Sequence, residues 1–105
     1  MPNGADRNWM RLCAAIDGFR TLYGKWPTRI RLFPDIIEDL KQVLGSRSFS
    51  ILETRLQLIA DNASIVAEDE EGQQFSYGDD KFPEKLPDIR ARDWLGIESL
   101  PEFWD

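Results

Sequence analysis

The spacing of the apolar residues changes twice within the first 45 positions, and this change most constrains the fold. Between residues 9 and 23 the apolar side chains recur every three or four positions, which is typical of one helix face: Trp9, Leu12, Cys13, Ile16, Phe19 and Tyr23. Asp6 is a suitable N-cap and Gly24 a suitable left-handed terminator, so a helix over 6–24 is predicted. Gly18 lies inside this helix at a cost of about 1 kcal/mol relative to alanine, which predicts close approach by another backbone.

A strand and a second helix follow. Trp26-Pro27 ends the helical pattern, and residues 28–32 alternate with period two, so Ile30 and Leu32 are predicted to face inward. Arg29 and Arg31 are then expected to face outward. Pro34 in a first turn with acids close behind predicts a helix over 34–44. Its apolar stripe comprises Ile36, Ile37, Leu40, Val43 and Leu44, and Gly45 is expected to end it.

The apolar residues over 46–60 fit helical spacing in part and strand spacing in part. We favour a short helical turn over 47–53, followed by three strands, with turn chemistry at Asp61-Asn62-Ala63 and a tight hairpin ending at Gly72. These strands span residues 55–60, 64–68 and 73–77. The sequence predicts that they form an antiparallel meander, 55–77, and that strand 28–32 joins the same sheet.

The remaining segment, 81–105, combines three prolines with many apolar residues, so we expect an arm that wraps the body and has one helical turn near 90–95. The predicted fold class is α+β, in two layers. Two main helices cover one face of a three- to four-stranded, largely antiparallel sheet. Residues 1–80 form the core of a single domain, and 81–105 form its proline-punctuated C-terminal arm.

The composition excludes several kinds of chemistry. The chain has 105 residues, no histidine and one cysteine, Cys13, so imidazole metal sites, serine–histidine relays and internal disulfides are ruled out. Cys13 lies on the apolar helix stripe and is predicted to be a buried, inert thiol. No apolar run approaches 18 residues and no signal peptide is recognisable. We therefore expect a cytoplasmic protein without cofactor or membrane span.

Charge is distributed unevenly along the chain. The net charge is −6, yet residues 1–35 carry six basic and three acidic side chains, whereas residues 68–105 carry four and twelve. The acidic balance disfavours a general nucleic-acid binder. A basic head and an acidic tail instead favour a protein partner or self-association.

Arginines on the sheet face are the first candidate site. Cross-strand arginine–glutamate pairs normally decorate a solvated face, but guanidinium groups also bind a partner's carboxylates or phosphate. For a protein partner we name Arg29 and Arg31. For the alternative, a phosphate- or nucleic-acid-binding domain, we name Arg20, Lys25, Arg29 and Arg31.

Clustered carboxylates are a second alternative. Asp69 and Glu70 lie in the predicted hairpin turn, and Asp79 and Asp80 follow the next strand. Oxygen ligands of this kind bind Mg²⁺ or Ca²⁺ and could support a small metal-assisted hydrolase. However, no calcium-loop spacing, nucleophile elbow or phosphate-binding glycine loop accompanies them. Acid-rich turns are more commonly only solvated.

Aromatic residues in the acidic C-terminal arm support the leading hypothesis. Trp94, Phe103 and Trp104 have no long periodic element that would bury them. They are expected either to complete the core or to anchor a protein partner or a second copy, because tryptophan is enriched in interface hot spots. The sequence thus favours a non-catalytic protein-interaction or regulatory module.

Overall fold

The computed structural model describes residues 4–78 and 88–97. Its first helix, α1 (Gly4–Tyr23), begins two residues before Asp6, so the predicted cap at Asp6 is wrong. The C-terminal end agrees with the prediction, because Gly24 has a φ of 72° and its N–H donates to the carbonyl of Arg20 at 2.9 Å. This left-handed conformation is one that glycine adopts without a Cβ clash.

Strand β1 (Arg29–Leu32) and helix α2 (Pro34–Arg55) follow. The sequence predicts that the first helical run ends at Gly45 and that a short helical turn follows over 47–53. Both features are present, although the second run extends to Arg55. Gly45 has φ 79° and ψ 165°, which are non-helical values, so it marks a kink between two helical halves. Phe49 and Leu52 in the second half are buried. Their burial explains why residues 46–55 continue as helix.

The four-stranded sheet is mixed, with the order β2-β1-β3-β4. The new strands are β2 (Gln57–Ala60), β3 (Ile65–Glu68) and β4 (Gln74–Tyr77). β2 pairs with β1 in parallel, whereas β1–β3 and β3–β4 are antiparallel. The predicted meander over 55–77 is therefore wrong in one respect, since β2 does not neighbour β3. The long helix between β1 and β2 returns the chain to the start of β1, which favours parallel pairing.

The core lies between the sheet and the helices. Register places Ile30, Ala67 and Phe75 side by side on the helix-facing side, all fully buried. Gly18 of α1 lies directly over the Phe75 ring, because a Cβ at residue 18 would come within 2.6 Å of that ring. The predicted close approach of another backbone is therefore wrong, because the group that lies against Gly18 is the side chain of Phe75.

Helix α3 (Ala91–Leu95) is the one turn predicted near 90–95. It contacts both α1 and α2, and Leu95 and Ile97 are buried in the core. This part of the predicted arm therefore packs on the body, whereas the rest, 81–87 and 98–105, lies outside the described residues. The described helices contain no apolar stretch of the length that spanning a lipid bilayer requires.

Candidate functional site

A buried carboxylate organises the sheet face opposite the helices. Glu68 is 2% exposed, and its Oε1 accepts hydrogen bonds from Arg29 Nε at 2.6 Å and Arg31 Nε at 3.2 Å. Oε2 accepts a third from Gln74 Nε2 at 2.7 Å. Arg29 and Glu68 are direct register partners in the antiparallel β1–β3 pair. The structure thus brings Arg29 and Arg31 together, but around a carboxylate of the chain itself.

The pKa of Glu68 reflects these hydrogen bonds and charges. Burial alone would raise the pKa of Glu68, but hydrogen bonds from Gln74 and Arg29, together with the charges of Arg31 and Arg29, lower it below its ordinary value. Arg31 also donates from NH1 to Asp61 Oδ2 at 3.4 Å. A phosphate ligand at this face would compete with two carboxylates already bound to the arginines.

Lys25 belongs to a separate ion pair at the β3–β4 hairpin. Its Nζ lies 2.8 Å from Asp69 Oδ2 and also contacts the carboxylate of Glu71. Asp69 Oδ1 accepts the backbone N–H groups of Glu71 and Gln73 at 2.9 and 3.0 Å. The hydrogen bond from Lys25 lowers the pKa of Asp69, burial opposes it, and the two backbone donors add to the lowering. Asp69 therefore acts as the structural centre of a turn.

The carboxylate alternative gains no further ligand in the described residues. Glu70 is exposed in the hairpin turn, and Asp79 and Asp80 lie outside the described residues. Within residues 4–78 and 88–97 there is no group of three or more acidic or cysteine side chains arranged to hold a metal ion.

Trp94 stacks on another tryptophan of the same chain. The rings of Trp26 and Trp94 are 4.5 Å apart between centroids and nearly parallel, at 7°. The guanidinium of Arg20 lies 4.8 Å from the centroid of the Trp26 ring. Arg20 NH1 also donates a hydrogen bond to the Gly24 carbonyl at 2.7 Å. Trp94 and Arg20 thus join α3, α1 and the turn before β1. Phe103 and Trp104 lie outside the described residues.

Asp17 fastens α3 to α1. This carboxylate is 1% exposed; its Oδ1 accepts the N–H of Ala91 at 2.7 Å, and its Oδ2 accepts Arg90 Nε at 3.0 Å. Ala91 is the first residue of α3, where backbone donors lack helical partners. An acid from a distant helix therefore satisfies the start of α3.

A groove remains between these two helices. We call it the α1–α3 groove; it has a volume of about 500 Å³. Its lining is mainly apolar on the α1 side and charged on the other: Trp9, Met10, Cys13, Ala14, Arg90, Arg92 and Asp93. Met10 is 52% exposed, the largest exposed fraction among the large hydrophobic side chains described. The groove combines an accessible apolar surface with two guanidinium groups and one carboxylate, that of Asp93.

Cys13 lies in the floor of this groove as a free thiol. Burial, with the nearby negative charge of Asp17, raises its pKa to about 12. The reactive thiolate is therefore strongly disfavoured near neutral pH. The side chain is half-buried and not buried as predicted, and the raised pKa supports the predicted inertness.

Sequence reasoning did not identify the groove. One feature of the sequence pointed towards it. Asp17 lies directly after Ile16 and four residues after Cys13, so its carboxylate is placed at the border of the apolar stripe of the first helix. A buried acid there implies a partner from elsewhere in the chain. Nothing in the sequence indicated that Arg90 supplies it or that Trp26 and Trp94 stack.

Comparison with known proteins identifies no relative. No protein-family model matches the chain, and neither the curated proteins nor the solved structures contain a significant match.

Proposed function

We propose that this protein is a non-catalytic interaction module of the cytoplasm. In this proposal, the α1–α3 groove binds an acidic segment of a protein partner that carries a large apolar side chain. The observation on which the proposal depends is the half-exposed Met10 beside Arg90 and Arg92 in one groove. The apolar floor favours burial of a partner side chain, and the guanidinium groups favour a neighbouring carboxylate.

Arg90 retains capacity for a partner. Its Nε donates to Asp17, but the side chain is 52% exposed, and a guanidinium has five N–H donors in total. Asp17 also holds Arg90 in place, so little conformational entropy is lost when a second carboxylate binds. Asp93 also lines the groove, so the acidic group of the ligand is expected to bind on the side of Arg90 and Arg92.

The chemistry of the other candidate residues favours binding over catalysis. The thiol of Cys13 is kept protonated by its raised pKa, and the carboxylates of Glu68 and Asp69 are each held by basic side chains. The phosphate-binding alternative has less support, because Arg20, Lys25, Arg29 and Arg31 all bond within the chain. The hydrolase alternative has less support because Asp69 pairs with Lys25.

A labelled synthetic peptide with the sequence of residues 98–105 is a suitable probe, because it combines acids with phenylalanine and tryptophan. We expect saturable binding by fluorescence anisotropy that weakens as salt rises. A matched peptide with its acidic side chains changed to amides should bind more weakly. Absence of binding by the acidic peptide, or equal binding of both peptides, would contradict the proposal.

Two variants on one helix locate the binding site. Met10→Glu places a like charge in the groove and should weaken peptide binding by about tenfold, equivalent to about 1.4 kcal/mol. Leu22→Glu is the control, because Leu22 is 50% exposed on the same helix but does not line the groove. An equal loss in both variants would show that the peptide binds elsewhere.

A further inference from the structure

The outer edge of β2 presents backbone groups that no described strand uses. Within residues 4–78 and 88–97, β2 pairs only with β1. The N–H of Gln57 donates to Thr28 O at 3.1 Å, and that of Asp61 donates to Leu32 O at 2.9 Å. In a parallel pair, bonding groups alternate in direction along the strand. The N–H and C=O groups of Leu58 and Ala60 therefore point to the open edge.

This edge has none of the protective side chains that usually prevent strand addition. β2 reads Gln-Leu-Ile-Ala, with no charge, proline or glycine, whereas natural edge strands commonly carry lysine, proline or a bulge. Gln57 and Ala60 are exposed. The charges lie just outside the strand and have opposite sign, Arg55 before it and Asp61 after it.

We infer that two copies of this chain pair through β2 in antiparallel orientation, forming one continuous sheet across a two-fold axis at Ile59. Only residues whose N–H and C=O groups point to the open edge form hydrogen-bonded pairs. Leu58 of each copy therefore faces Ala60 of the other copy. Four backbone hydrogen bonds result. The two Ile59 residues then form the closer, non-hydrogen-bonded pair, with Cα atoms about 4.5 Å apart.

Polar pairing and shape both favour this register. Gln57 faces Asp61 of the second copy, so its side-chain amide donates to a carboxylate that in its own chain accepts a long hydrogen bond, 3.4 Å, from Arg31 NH1. On the helix-facing side, the small Ala60 leaves room for Leu58. Parallel pairing of two β2 strands would instead place like charges at the same end. This pairing is independent of the α1–α3 groove, and a dimer would present two such grooves.

Substitutions at Gln57 separate dimer formation from monomer stability. Gln57 is also the register partner of Arg29 within the chain. Gln57→Glu therefore places a carboxylate beside Arg29, which favours the monomer fold, but opposite Asp61 of the second copy, which repels. Gln57→Lys places a like charge beside Arg29, which disfavours the monomer fold, but an opposite charge facing Asp61 of the second copy, which favours the dimer. By sedimentation equilibrium we expect Gln57→Glu to weaken dimerisation at least about fivefold and Gln57→Lys to strengthen it.

Crosslinking tests the register directly. In a Cys13→Ser background, Ile59→Cys should oxidise to a disulfide-linked dimer, because cysteines with Cα atoms this close form disulfides. Gln57→Cys is the control, since the two residues 57 lie at opposite ends of the paired strands. A monomeric wild-type chain at all concentrations would overturn the inference. So would equal crosslinking of the two cysteine variants, or a dimer unaffected by either Gln57 substitution.

Discussion

Arg29 Nε donates to Glu68 Oε1 at 2.6 Å between directly paired residues of β1 and β3. This bond belongs to a three-donor arrangement that lets a carboxylate remain charged at 2% exposure. It also accounts for the orientation of both sheet arginines. The face that resembles an open arginine platform in the sequence is therefore a closed ion-pair network.

Replacing Glu68 should destabilise the fold. Glu68→Gln removes the charge while both arginines remain, so we expect the free energy of unfolding to fall by roughly 1–3 kcal/mol. Urea unfolding measures this change. Glu70→Gln is the control, because Glu70 is exposed in the neighbouring turn and should alter stability by less than about 0.5 kcal/mol. Equal effects of the two substitutions would contradict the role assigned to Glu68.

Stability should depend on pH in the acid range. The folded-state pKa values of Glu68 and Asp69 are lowered, so their contribution is complete above the ordinary carboxyl pKa range and is lost as the pH falls through the folded values. The pKa of Lys25 is raised, first by its hydrogen bond to Asp69. Its contribution is therefore present below about pH 10.5 and is lost at higher pH.

The measurement for this pH dependence is urea unfolding at a series of pH values. Because the chain has no histidine, we expect little change between pH 6 and pH 8. Glu68→Gln should show a shallower acid decline than the wild type. A decline of unchanged steepness in that variant would show that other groups cause the acid loss.

Gly18→Ala tests the contact between α1 and the sheet. At an open helix position this substitution would stabilise by about 1 kcal/mol, but here the new Cβ comes within 2.6 Å of the Phe75 ring. We therefore expect a net loss of roughly 1–3 kcal/mol in thermal or urea unfolding. Because Phe75→Leu removes the ring, the alanine substitution should cost less in that background than in the wild type. Stabilisation by Gly18→Ala alone would contradict the close approach.

Cys13 should be unreactive in the folded protein. With a pKa of about 12, the thiolate is scarce at pH 8, so a disulfide-exchange reagent should modify the native protein slowly. In denaturing urea the same thiol should react rapidly, since its pKa returns towards the ordinary value. The ratio of the two rates is the measured quantity. Similar rates in the two states would show that the thiol is accessible and ionised in the native groove.

The Trp26–Trp94 stack should contribute to the docking of α3. Trp94→Ala removes an aromatic pair worth about 0.5–1.5 kcal/mol beyond the buried area, so stability should fall by at least about 1 kcal/mol. The near-ultraviolet circular dichroism should also change, because the ring stacked on Trp26 is lost. Leu22→Ala, at an exposed position, is the control for both measurements. An unchanged spectrum in Trp94→Ala would indicate that the rings are not stacked in solution.

Several features were predictable because neighbouring residues specify them. The apolar stripe of α1, the alternation in β1 and the hairpin at Gly72 each follow from local spacing or backbone preference. The break at Gly45 is also predictable, because glycine tolerates a positive φ, and the helical spacing of Phe49 and Leu52 favours the second helical run after it. The parallel β1–β2 pairing differs from the predicted meander, because the connection over 34–55 returns the chain to the start of β1 and no local pattern specifies that path.

The sequence by itself determined the α+β class, the core-facing residues of the first elements and the lack of imidazole chemistry. Those properties depend on composition and on periods of two to four residues. Only the tertiary structure decided that Asp17 holds Arg90, 73 positions away, and that Glu68 binds both sheet arginines. It also decided that β2 lies at an edge. Such pairings depend on which distant segments meet when the core closes, and no local pattern encodes that choice.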